Sequence, residues 1–335
     1  VPQVLGRARD LVAPAMRDAI GSLSSELRPI AEYHVGWRDE KGELVSTDGG
    51  KGVRPALAIL SAEAVGADGS VGVPGAVAIE LVHNFSLIHD DVIDNDAERR
   101  HRPTVWALFG IGQAVIVGDA LLVLADEVLL NAPDIGGSRA RAARLLTSAT
   151  ARMIQGQSLD MAFETRSVVS FEECLDMEAG KTGALLGCAC AIGAVLAGAS
   201  EDTVNALSMF GVEMGLAFQA VDDHLGIWGD PAVTGKPAWS DLRQKKKSLP
   251  VVAALQKQGP LADELAGLLA RDELGEADIA RAAELVEMAG GRSATEREAH
   301  LHFDLALSAL GNAEITPRAH TDLLELANFI VDRNF

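Results

Sequence analysis

The chain has 335 residues, 48% hydrophobic and 23% charged, which supports a large core and excludes wholesale disorder. Its 29 Lys and Arg stand against 48 Asp and Glu, and a net charge of −19 excludes a general nucleic-acid binder, which needs an electropositive footprint. Aromatics are only 4% while Ala and Leu, the strongest helix formers, abound, so an all-α fold is expected rather than a sandwich or barrel.

Helical periodicity then recurs along the chain. The first amphipathic stretch runs from Val4 to Tyr33, followed by a polar, turn-rich segment. Helices are expected over Pro55–Ala67, Gly75–Asp94, Gly112–Leu130, Ser138–Glu164, Lys181–Ala199 and Glu201–Trp228, with shorter ones to about Asp332. No run alternates as a strand would, and no linker or low-complexity tract divides the chain, so residues 1–335 read as a single domain. The uncharged run from Thr182 to Ser200 is close to bilayer length. It is built from Ala, Gly and Cys, which suits a helix enclosed by other helices, so no transmembrane segment is expected. Three cysteines cannot pair completely, and no signal peptide opens the sequence. Both point to the cytoplasm.

Two acidic clusters carry the chemistry. Asp90 and Asp94 are one helical turn apart with Asp91 beside them, at the helix end where the macrodipole disfavours anions. A second pair, Asp222 and Asp223, follows another apolar run. Each alone could be a solvated helix end. Together they suggest oxygen ligands for Mg²⁺, which keeps several waters and bridges to substrate phosphates. Basic groups lie close by in sequence: Lys51 and Arg54 in GGKGVRP, then Arg99 and Arg100. Lys181 and Thr182 stand at the expected start of an apolar helix, where free N–H groups favour an anion. Lys236 and Lys245–Lys247 crowd a later loop. In an acidic chain such cations suit a polyanion such as diphosphate. The segment GDPAVTGKPA lacks P-loop spacing, and there is no nucleophile elbow or catalytic Cys signature.

These motifs resemble the trans-polyprenyl diphosphate synthases. GGKGVRP is similar to that family's G-K-x-x-R-P, and LIHDDVID to its D-D-x-x-D. The segments ERRHRPT, GQSLD, EAGKTGALL, FQAVDD and GKPAWSDLRQKKKSLP follow in family order. The resemblance implies one large helical bundle around a central active-site cavity, a homodimer, and three Mg²⁺ ions per site. It implies that Asp90, Asp91, Asp94, Asp222 and Asp223 bind Mg²⁺ gripping an allylic diphosphate, with Arg99, Lys181, Lys236 and Lys246 on the same diphosphate. Lys51, Arg54, His83 and Arg100 would hold isopentenyl diphosphate, and Thr182 and Gln219 would line the reacting centre. Asp160 and Gln157 match family positions too.

The resemblance also implies that product length is set by the two residues four and five before the first Asp. Phe85 should limit growth while Ser86 leaves room, a pattern resembling geranylgeranyl synthases. Three departures stand out: Gly226 replaces the last Asp of the second motif, with Asp230 one turn further on, Gly52 stands where Arg is common, and His101 stands where Gly is common. The alternatives are a terpene cyclase of the same fold and a non-catalytic subunit of a prenyl synthase.

Overall fold

The computed structural model describes residues 2–45, 52–231 and 237–331. It is helical almost throughout, as composition and periodicity led us to expect. The helices, in order, are α1 (Gln3–Gly21), α2 (Arg28–His34), α3 (Val53–Ala64), α4 (Val73–Ile93), α5 (Val105–Phe109) and α6 (Ile111–Leu130). Then come α7 (Ser138–Thr165), α8 (Phe171–Glu178), α9 (Ala184–Leu196), α10 (Glu201–Trp228), α11 (Ser240–Arg243) and α12 (Leu249–Gln256). The last four are α13 (Pro260–Leu269), α14 (Glu276–Met288), α15 (Gly291–Gly311) and α16 (Pro317–Val331).

Three details differ from the sequence reading. The first amphipathic stretch is two helices, broken between Gly21 and Arg28. A two-residue ladder, β1 (Glu98–Arg99) with β2 (Arg102–Pro103), follows α4. Lys181 and Thr182 do not begin a helix: they lie in a π-helical turn, Ala179–Gly183, continuous with α8 before it and α9 after it. The true start is Ser170, whose side chain closes a capping box with Glu173. The N–H groups around Lys181 are therefore engaged inside a helix rather than free to bind an anion.

Two compact units emerge: Val1–Thr150, Cys188–Ser208 and Ala313–Leu326 form unit 1, and Ala151–Gly187, Met209–Asn312 and Ala327–Phe335 form unit 2. In unit 1, α3 and α4 are buried along nearly whole faces, from Ala56 to Leu60 and from Ala76 to Ile79. Backbone approaches backbone closely where residues are small, and Gly193 N–H donates to Ser61 Oγ at 2.9 Å. In unit 2, one cluster gathers Phe163, Cys174, Val221 and Leu249, and another Ile227, Leu242, Val251 and Leu285. All three cysteines are buried and free. Three stretches are long and apolar enough to cross a membrane, Gly69–Ile93, Phe171–Leu196 and Glu201–Trp228, and 61%, 78% and 56% of their apolar windows are buried inside the protein.

Candidate active site

Unit 1 carries the first acidic cluster at the end of α4. Residues one apart on a helix point about 100° from each other, while residues four apart share a face. Asp91 accordingly turns inward, and its carboxylate accepts a 2.7 Å hydrogen bond from Arg99 Nε. Burial raises the Asp91 pKa, against the opposing pull of Arg99. Asp90 and Asp94 occupy the other face, half-buried and exposed respectively. Asp91 as placed is a support for Arg99, and the two flanking carboxylates are the ones presented outward.

The segment after α4 is pinned by Thr104 and Trp106, whose side chains both donate to Asp96 O, at 2.8 and 2.9 Å. Between β1 and β2 the chain reverses through Arg100 and His101, both at positive φ (53° and 61°). Two such residues make the tight hairpin turn that Asn-Gly normally supplies. Here non-glycine residues hold it, so strain is stored beside the acidic cluster, and Arg100 is left exposed.

Arg54 and His83 meet within the same unit, Arg54 Nη1 lying 3.3 Å from His83 Nε2. Arg54 can only donate, so His83 accepts as a neutral imidazole protonated on Nδ1. Burial first, then the charges of Arg54 and other neighbours, hold the His83 pKa well below its ordinary value. His34, which sequence reasoning passed over, is pushed down to about 3 by burial and then by Arg99 and Arg100. Glu80, also missed, raises the Arg54 pKa against the larger, downward effect of burial. It receives Asn84 Nδ2 at 3.4 Å. Arg54 Nε is buried without a partner. In a chain of net charge −19, this corner is locally electropositive and retains a spare guanidinium donor. That fits an anion with several oxygens.

In unit 2 the predicted residues gather around the π-helical turn. Extra-residue turns of this kind cluster at functional sites. A Cβ on Gly156 of α7 would stand 2.3 Å from Lys181 N, so only glycine lets α7 press on this turn. The Lys181 ammonium is hydrogen-bonded to Asp160. Thr182 Oγ1 donates to Gln219 Oε1 at 3.0 Å, and Gln219 Nε2 donates to Asp223 Oδ1, also at 3.0 Å. The other Asp223 oxygen accepts Leu249 N–H at 2.8 Å, capping the start of α12. Burial, followed by the charge of Asp241, raises Asp223 to about 6. Burial and then Asp223 push the Glu178 pKa up from the ordinary carboxylate value. Lys246 loses charge stability to burial but gains more from Asp241, Asp223, Asp160 and Asp222, and its pKa rises.

The structure thus joins Arg54 with His83, Asp91 with Arg99, Lys181 with Asp160, and Thr182 with Gln219 and Asp223. Lys51 and Lys236 lie outside the described residues. Asp230 falls beyond the end of α10 at Trp228. Phe85 is buried and Ser86 half-buried, both on α4.

The donor chemistry fits Mg²⁺. Among the described residues no three His, Cys, Asp or Glu side chains converge as a metal group. The carboxylate oxygens of Asp90, Asp94 and Asp222 are the hard donors that Mg²⁺ takes.

A family model described as polyprenyl synthetase matches residues 37–286. The chain is 46% identical to a (2E,6E)-farnesyl diphosphate synthase of Mycobacterium tuberculosis, over 98% of this chain and 92% of that protein. It is 43% identical to a geranylgeranyl diphosphate synthase of the same organism, over 98% and 93%. A crystal structure of a polyprenyl synthetase from Streptomyces coelicolor A3(2) superposes with a TM-score of 0.93 at 51% identity, covering 98% of both chains.

Proposed function

The chain belongs to the polyprenyl synthetase family, and from that premise we propose that it condenses isopentenyl diphosphate with an allylic diphosphate to make geranylgeranyl diphosphate. The observation that carries this reading is the presence, in one acidic protein, of Asp90 and Asp94 on α4 and Asp222 on α10, none of them fully buried, together with the half-buried Arg54, Arg99 and Lys181. A reaction whose leaving group is diphosphate needs both. Asp90 and Asp94 in unit 1 and Asp222 in unit 2 are the residues that would hold Mg²⁺, which when bound supplies charge stabilisation for the departing diphosphate.

The protein's own groups do the rest. Arg54 and neutral His83, with Arg100, hold the diphosphate of isopentenyl diphosphate. Arg99, kept in place by Asp91, and Lys181 and Lys246 receive the allylic diphosphate. As the allylic carbon–oxygen bond breaks, its electron pair leaves with the diphosphate. The double bond of isopentenyl diphosphate attacks the allylic carbon, and a proton is then lost to restore a double bond. Thr182 and Gln219 present fixed dipoles to the developing cation. Their hydrogen-bonded chain needs no reorganisation when charge appears.

A twenty-carbon product is supported by the pairing of a bulky, buried Phe85 with a small Ser86. The family setting also supports a cytoplasmic homodimer. Several large apolar side chains of α6 are exposed, among them Val123 at 66% and Leu130 at 55%, and this face is the surface a second copy would cover.

The test is incubation with Mg²⁺, labelled isopentenyl diphosphate and each of dimethylallyl, geranyl and farnesyl diphosphate, with products sized after phosphatase treatment. A linear twenty-carbon alcohol, lost on Asp90→Ala, is expected. No incorporation with any primer would overturn the reading.

A further inference from the structure

Tyr33, in the last turn of α2, and Arg102, in β2, grip each other in both directions. The Arg102 guanidinium lies over the Tyr33 ring, 4.4 Å from its centroid. Arg102 Nη2 donates to Arg38 O at 2.7 Å and to Tyr33 O at 3.4 Å. In return the Tyr33 hydroxyl donates at 2.7 Å to Pro103 O, one residue beyond Arg102. We infer that Tyr33 and Arg102 form a latch that seats the hairpin of Arg99 and Arg100 on α2, and that these two positioning residues set the affinity for both diphosphate substrates at once. This rests on the proposed function, in which Arg99 receives the allylic diphosphate and Arg100 that of isopentenyl diphosphate.

The hairpin does not hold itself. Its strands are two residues each, and even a longer two-stranded hairpin is marginal in isolation. Its turn residues, Arg100 and His101, keep a positive φ that non-glycine side chains hold only when the surroundings enforce it. Arg99 and Arg102 are direct partners across the ladder, so their side chains stand on one face, where like charges oppose pairing. Each charge is drawn to its own partner. Arg99 Nε donates to Asp91 Oδ1 at 2.7 Å, while Arg102 takes the Tyr33 ring and two carbonyls. The hairpin is thereby tied at two points, to α4 through Arg99 and to α2 through Arg102.

The α2 side of the latch is firm. Tyr33 is only 3% exposed, and Phe109 meets its ring edge-on with centroids 5.4 Å apart. After burial, the charges of Arg99, Arg100 and Arg102 all help to lower the pKa of His34, the neighbour of Tyr33, so the hairpin's cations lie close to α2. A guanidinium engaged by a ring and two carbonyls is committed to placing its neighbours. Arg99 and Arg100 are consecutive, so a tilt of the hairpin moves both. Loss of the latch therefore disturbs the two diphosphate positions together, whereas loss of either arginine alone disturbs one.

The experiment measures kcat, thermal melting and KM for geranyl and isopentenyl diphosphates in wild type, Arg102→Met, Arg102→Lys and Tyr33→Phe. Arg102→Met is expected to raise both KM values about tenfold while kcat stays within about twofold. Arg102→Lys keeps the charge but loses the planar stack and the fork of donors, and is expected to behave as the Met variant does. Tyr33→Phe removes only the bond to Pro103, and should raise both KM values about threefold with melting close to wild type. Unchanged KM values, a rise in only one of them, or a fall in kcat exceeding the rise in KM would overturn the inference. So would recovery of both KM values in Arg102→Lys, which would mean that the charge alone attracts the substrates. Should Arg102→Met fail to fold, Tyr33→Phe decides by the same readouts. Failure of the broader reading shows separately, as a wild type that incorporates no isopentenyl diphosphate with any primer. Calorimetric titration with Mg²⁺ and inorganic pyrophosphate then decides. Weaker binding in Arg102→Met and Tyr33→Phe than in wild type would support the latch, and equal binding, or none in wild type, would overturn it.

Discussion

Thr182 donates its hydroxyl hydrogen to the side-chain carbonyl of Gln219 at 3.0 Å, and that bond decides which way round the Gln219 amide sits. With its oxygen taken, the amide nitrogen is turned to Asp223. Asp223 in turn holds the first N–H of α12. A residue in the π-helical turn is thus coupled through two side chains to the start of a distant helix.

Gln219→Leu should break this chain at its centre. It leaves an Asp223 oxygen and the Thr182 hydroxyl without their partners, at about 1–3 kcal/mol. Turnover should fall roughly tenfold to a hundredfold, since small displacements of a reacting-centre group are costly. Denaturant melts and steady-state rates on the same preparation check both. A variant with wild-type turnover would show that the chain is structural alone.

Gly156→Ala tests the contact beneath Lys181. The added methyl would overlap Lys181 N and Gly180 C, at 2.3 and 2.9 Å, and both are backbone atoms that cannot swing away. Overpacking of this kind costs about 1–3 kcal/mol. It should also displace Lys181 and Thr182, so activity should fall further than stability explains. Gly267→Ala is the control: nothing lies within 4 Å of its Cβ position in α13. It should gain about 0.5–1 kcal/mol. Equal effects of the two substitutions in thermal melts would contradict this account.

Much of this was legible in the sequence. Apolar spacing marks α4, α6, α7 and α10 to within a few residues, because each buries one face of a regular helix. The acidic clusters announce themselves by breaking local helix rules. The inward turn of Asp91 was also readable, since neighbours on a helix cannot share a face, although the motif's repeated aspartates suggest three equal ligands. Other features were hidden for physical reasons. The Ala-Gly-Lys-Thr-Gly run looks like a helix boundary, and only the packing of Gly156 on it shows a π-helical turn. His34 and Glu80 act on groups far along the chain, and no local period encodes such contacts.

The histidines of unit 1 predict an acid sensitivity. An unfolded histidine titrates near 6.5, whereas folded His34 is held down to about 3. The folded state therefore binds fewer protons below pH 6.5, so stability is full above that value and is lost as pH falls toward 3. Between pH 7 and pH 5 the loss from this residue reaches up to about 2 kcal/mol. His83 is depressed in the same direction. Urea unfolding at the two pH values should show a smaller drop for His34→Gln than for wild type. Identical drops would assign the acid sensitivity elsewhere.

The same helix that carries the first acidic cluster sets the expected product length. The Phe85 ring stands edge-on to His89, centroids 4.9 Å apart, and His89 Nε2 reaches Val115 O of α6 at 3.1 Å. Gly118 leaves room for that imidazole, because a Cβ there would lie 2.2 Å from His89 Nε2. His89 is therefore fixed against α6, and the buried Phe85 ring packs on that held imidazole. Ser86 folds its hydroxyl back to His83 O at 2.9 Å and adds little bulk beside it. Ser86→Phe should shorten the main product from twenty to fifteen carbons. Phe85→Ala should lengthen it beyond twenty, with a destabilisation of about 3–5 kcal/mol for the lost ring. Mass spectrometry of the dephosphorylated products decides. A twenty-carbon alcohol from both variants would mean that chain growth ends elsewhere.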